Sequence, residues 1–156
     1  MEEDKKTTPT PVALAGKILK IMEELSYVQK DGTNSFHNYN YVTEAKISKA
    51  FRDKFIEHGI VFIPSARLND VENGITNLNM TMALIDVESG EKLEVPWAGQ
   101  GADKGDKGMY KAFTGGVKYF LMKLFMLPTG DDPERDNPEY DSSTNNVTKT
   151  KVGARV

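Results

Sequence analysis

Lysines at positions 104, 107, 111 and 118 are the residues here whose type and spacing could do chemistry. On an α-helix, at about 100° per residue, Lys104, Lys107, Lys111 and Lys118 share an arc of roughly 60°. Their ammonium groups would then stand about 4–10 Å apart along the axis, a spacing that suits successive phosphates of a nucleic-acid strand. The same stripe also describes the solvated face of an ordinary amphipathic helix. Gly115 falls on the stripe, and Met109, Phe113, Val117, Phe120, Leu124 and Leu127 fall opposite, where a sheet could cover them. Gly115 and Gly116 each cost a helix about 1 kcal/mol relative to Ala, which points to a close approach there, by the chain's own sheet or by another backbone.

A second group lies in "FHNYNY", residues Phe36 to Tyr41. If this segment is extended, His37, Tyr39 and Tyr41 point to one side. Aromatic rings beside a basic track suit unpaired bases, which stack without sequence choice. Equally, Tyr39 and Tyr41 could pin the loop onto the core. His37 taken alone reads as a surface residue.

Other chemistries find less support. A phosphate-cradling loop needs G-x-x-x-x-G-K-[ST], which is missing, and Gly99, Gly101 and Gly105 are one residue too widely spaced for a dinucleotide fingerprint. With no cysteine and only His37 and His58 as histidines, no thiolate or paired-histidine metal site is suggested. Asp103, Asp106, Asp131 and Asp132 could hold Mg²⁺ as a nuclease does. The plainer reading makes Asp103 and Asp106 caps near a helix N-terminus and leaves Asp131 and Asp132 in a solvated turn. No cofactor and no catalytic set is expected.

Charge is segregated along the chain. The net charge is −3, yet residues 97–127 hold five lysines against two aspartates, a balance of +3. Residues 128–141 hold six acids against one arginine, a balance of −5. No apolar run approaches the ~18 residues of a membrane helix, and "MEEDKKTTPTP" does not resemble a secretory signal.

The elements that must position these groups follow from periodicity. Pro11 opens a first helix with Leu14, Ile18, Ile21 and Leu25 at helical spacing. Thr43 caps a second, lined by Ile47, Phe51 and Phe55 and ended by Gly59. The period then becomes two. "IVFIPSARL" is a strand whose Pro64 suggests an edge or a bulge. Asn73-Gly74 is a hairpin turn. Leu78, Met80, Met82 and Leu84, then Leu93, Val95 and Trp97, alternate with polar or small neighbours, so one sheet face is covered. A third helix is expected from about Gly105 to Leu127. The fold class is thus α+β, an antiparallel β-meander with helices packed on one face in the order α-α-β-β-β-α. One core domain is expected over 11–130, after a disordered lead (1–10) and before an acidic, then polar, flexible tail (131–156).

Two long motifs carry a resemblance. "NYNYVTEAKISKAFRDKFIEHGI" resembles the first signature of the Erf (essential recombination function) family of phage single-strand DNA annealing proteins. "GQGADKGDKGMYKAFTGGVKYFLMKLFMLPTGDDPE" resembles the second, a Gly/Asp/Lys loop entering a helix and closing on Pro-x-x-Asp-Asp. The resemblance spans residues 11 to 136 and departs at Gly115-Gly116-Val117, where family members often carry Ala. It implies an ATP-independent protein of the host cytoplasm that coats single-stranded DNA and anneals complementary strands, assembled as a homo-oligomeric ring or filament. A phage exonuclease or a host single-strand-binding protein would be a partner. It also implies a core like that of eukaryotic annealing ring proteins, in which a lysine on the helix after the sheet meets the DNA backbone; Lys118 matches it. Lys104, Lys107 and Lys111 are added from the helical wheel alone. A nuclease using the aspartates, or an oligomeric scaffold that touches DNA incidentally, are the competing readings.

Overall fold

The computed structural model describes residues 10–36 and 38–128. The expected lead before residue 10, His37, and the tail with Asp131 and Asp132 lie outside the described residues. The order is α1 (Val12–Glu24), β1 (Gly32–Asn34), β2 (Tyr39–Tyr41), α2 (Glu44–His58), β3 (Ile60–Glu72), β4 (Ile75–Asp86), β5 (Lys92–Ala102) and α3 (Gly108–Leu124). The expected α+β meander is present, with strand order β3-β4-β5, both pairings antiparallel, and the helices on one face. The small β1–β2 hairpin between the first two helices is an addition to the expected order. Its three-residue strands are too short to show a period.

Local signals act where they stand. Asn73 and Gly74 both take positive φ, 52° and 75°, as a two-residue turn matched to strand twist requires. The Thr43 hydroxyl accepts from the Lys46 amide at 3.3 Å, and Gly59 closes α2 in the left-handed region. Pro64 sits on edge strand β3 in register with Met82, and the bulge falls instead at Asn69. On the covered face Leu78, Met80, Met82 and Leu84 are buried, and Phe62, Val95 and Trp97 pack against them. Aromatic contacts join the layers: Phe51 meets Phe125 with centroids 4.7 Å apart, and Phe62 stacks on Phe120 at 5.9 Å.

Helix α1 is fastened to the β4–β5 turn by charge. The Asp86 carboxylate, 1% exposed, accepts from Lys17 Nζ at 2.6 Å and from Ser89 Oγ at 2.7 Å. These bonds, Lys17 first, hold the Asp86 carboxyl down at about 2. A carboxyl depressed in the folded state adds stability that is present above its ordinary value and lost as pH falls through the folded value. Thermal midpoints should therefore fall between about pH 4 and pH 2. Asp86→Asn should start from a lower midpoint and show a flatter decline over that window. Equal declines in the two proteins would remove Asp86 from the account.

Candidate nucleic-acid interface

Helix α3 starts three residues later than its pattern predicts, because Asp103 bends the chain first. Its Oδ1 accepts from the Gly105 amide at 2.8 Å, and its own amide donates to the Gly74 carbonyl at 2.8 Å. Lys107 is the N-cap, and Lys104 lies in the loop before it. Neither is on the helix, which corrects the four-lysine helical stripe. Asp103 caps this turn and not the helix, and Asp106 is exposed.

The buried face of α3 also departs from the wheel. Gly108, Ala112 and Gly116, a small residue every fourth position, lie against the sheet. Across from them are Gly99 and Gly101 of β5. A Cβ on Gly99 would run into the Ala112 carbonyl oxygen, and one on Gly101 would stand 2.6 Å from the Gly108 carbonyl oxygen. Five residues placed opposite the lysines (Phe113, Val117, Phe120, Leu124 and Leu127) do pack inward, but Met109 is 47% exposed. The two central glycines divide. Gly116 is pressed by Met80, whereas a Cβ on Gly115 would meet nothing within 4 Å.

What remains outward on α3 is a short track. Lys111 is exposed, and its ammonium pairs with the Asp103 carboxylate and reaches the Ala102 carbonyl at 3.3 Å. That pairing, with the Gly105 amide, holds the Asp103 carboxyl below its ordinary value. Lys118, two turns on, is half-buried. Its Nζ lies 5.5 Å from the Tyr41 ring centroid and 5.1 Å from that of Tyr119. The track ends there, since Met122 in the next turn is buried. Lys123 is exposed on another side.

The β1–β2 hairpin thus meets α3 at Lys118. Tyr39 and Tyr41 are half-buried, with centroids 6.0 Å apart and planes inclined at 57°. Tyr41 covers Gly32, where a Cβ would lie 2.7 Å from the ring. The structure brings Lys118, Tyr41 and Tyr39 together and puts Lys107 and Lys111 at the other end of the track. There Asp106, Lys107, Tyr110, Lys111 and Thr114 line an open depression of about 600 Å³. Sequence reasoning missed Tyr110, which is 73% exposed. Its spacing of three from Lys107 and four from Thr114 is the signal that could have found it.

A divalent cation on Asp103 would have to displace the Lys111 ammonium. Among the described residues, one group could place three ligand atoms within 4.8 Å of one another: Glu24, Glu57 and His58. The Lys54 ammonium already sits 2.8 Å from both carboxylates. His58 and Lys54 together bring the Glu24 carboxyl down to about 2, so this cluster reads as a clamp between α1 and α2. Among the described residues no helix is long and apolar enough to cross a membrane.

A search of the curated proteins finds no match. The family model described as the ERF superfamily matches residues 14–154, well over half of the chain, and the chain belongs to that superfamily.

Proposed function

We propose that this ERF superfamily member, a recombination protein by its family, binds single-stranded DNA and anneals complementary strands without a nucleotide cofactor. The observation that carries this reading is the junction at Lys118, where the basic outer face of α3 meets the tyrosine hairpin. Phosphates would follow Lys104, Lys107, Lys111 and Lys118, with unpaired bases directed toward the hairpin. Annealing needs no fuel, since pairing is downhill by about 1.4 kcal/mol per stacked step. The protein has only to hold strands extended and bring them together.

In this reading the protein acts as a homo-oligomer in the host cytoplasm, alongside a phage exonuclease or a host single-strand-binding protein. Edge strand β3 supports assembly, with Val61, Ile63, Leu68 and Val71 all exposed.

Salt dependence tests the phosphate track. Each contact on a single strand contributes about −0.7 to the slope of log affinity against log salt. Binding to oligo(dT) should give a slope of about −2 if Lys111 stays with Asp103, and about −3 if phosphate replaces that carboxylate. Affinity should be unchanged by a chelator. A slope near zero, or strand cleavage that needs Mg²⁺, would overturn the reading.

A further inference from the structure

We propose that Tyr110, on the outer face of α3, is the ring on which an unpaired base of the bound strand stacks, with the phosphates flanking that nucleotide on Lys107 and Lys111. This rests on the single-strand-binding reading above and gives it a base contact at the end of the track away from the hairpin.

Position around the helix carries the assignment. Lys107, Tyr110, Lys111 and Thr114 are all exposed and, with Asp106, line one open depression of about 600 Å³. On the wheel their order is Tyr110, Thr114, Lys107, Lys111, across an arc of about 100°. Gly108, Ala112 and Gly116 fill the side that faces the sheet. Lys111 therefore stands toward the sheet, where its ammonium reaches Ala102 and Asp103, and Tyr110 stands on the far flank. Along the axis Tyr110 lies about 4.5 Å beyond Lys107 and about 1.5 Å before Lys111. Phosphates drawn to the two ammonium groups thus run beside the ring, with the base turned onto it. The Asp106 carboxylate lines the same depression and repels phosphate, which keeps the backbone on the lysine side.

The ring contributes little to the fold. Tyr110 is 73% exposed, and among the described residues no other ring packs on it and its hydroxyl makes no hydrogen bond. Tyr39 and Tyr41, by contrast, stand with centroids 6.0 Å apart, and Tyr41 covers Gly32. An exposed ring carries no meaning by itself. Here it shares a depression with two exposed lysines, the combination of aromatic and basic groups that holds single strands without sequence choice. Stacking also occupies only the face of a base. The pairing edge stays open, as annealing to a complementary strand requires.

The test uses the full chain, oligo(dT) and an abasic oligonucleotide of equal length. Tyr110→Ala should bind oligo(dT) about tenfold more weakly, within the usual range for one stacked base, with an unchanged salt slope because both lysines remain. Its affinity for the abasic strand and its thermal midpoint should equal those of the parent. Tyr110→Phe keeps the ring and should bind as the parent does. Tyr110→Trp should also bind, and DNA should quench its fluorescence beyond the change seen with Trp97 alone. Equal oligo(dT) affinity in Tyr110→Ala and the parent would overturn the assignment, as would an equal loss on both strands. So would a change in the size of the DNA-free assembly, which would make Tyr110 a subunit contact. If the parent chain itself shows no salt-dependent binding, it is the single-strand-binding reading that fails.

Discussion

Lys118→Ala should lower affinity for single-stranded DNA by about tenfold at moderate salt, slow annealing in proportion, and reduce the salt slope by about 0.7. Two losses combine in this variant. One is the phosphate contact proposed at the end of the α3 track. The other is the ammonium beside Tyr41 and Tyr119, which orients the hairpin on α3. A cation over an aromatic ring at a partly exposed site contributes about 0.5–1 kcal/mol, so the thermal midpoint should fall by no more than about 4 °C. Lys118→Arg keeps both the charge and the ring contact and should retain most of the activity. Lys123→Ala is the internal control. That lysine is exposed and lies roughly 140° around the helix from Lys118. Its removal should change neither slope nor annealing rate. Equal annealing by the Lys118→Ala and Lys123→Ala proteins would sink the assignment, as would a Lys118→Ala protein that fails only by unfolding. Lys111→Ala is a poorer probe, because it also releases the Asp103 carboxylate that shapes the loop before α3.

Gly99→Ala should be strongly destabilising, and Gly115→Ala should be mildly stabilising. At Gly99 the added carbon would be driven into the Ala112 carbonyl oxygen, a backbone atom of α3 that cannot swing aside as a side chain does. Overpacking of this kind costs about 1–3 kcal/mol or more, a fall of roughly 4–12 °C in midpoint for a domain of this size. Moving α3 to relieve the clash would shift Lys118 relative to the hairpin, so DNA binding should weaken too. At Gly115 the added carbon meets nothing, and the helix gains about 1 kcal/mol from the better propensity of Ala. Thermal melts of the two variants settle this. A Gly99→Ala protein as stable as its parent would mean that α3 does not seat on β5 as described.

The meander, the caps of α2 and the Asn73-Gly74 turn were legible in the sequence because each depends on neighbours along the chain. Strand alternation needs only a period of two, a cap only a hydroxyl three residues from an amide, and a tight hairpin only residues that tolerate positive φ. The lysine-rich character of the α3 region and the aromatic content of "FHNYNY" were legible for the same reason, as was the family, since long motifs survive as strings of residues.

Contacts between segments distant in sequence were decided by the tertiary structure. Where α3 begins depends on Asp103 bonding both Gly105 and Lys111. Which face of α3 is buried depends on Gly99 and Gly101 admitting Gly108, Ala112 and Gly116 to close range, so small residues seat the first half of the helix where hydrophobic periodicity pointed to Met109. The β1–β2 hairpin has strands too short to announce themselves, yet its docking decides that Tyr41 meets Lys118. Residue type marks a ring or an ammonium as available; only packing determines which of them meet one another, as Tyr41 and Lys118 do.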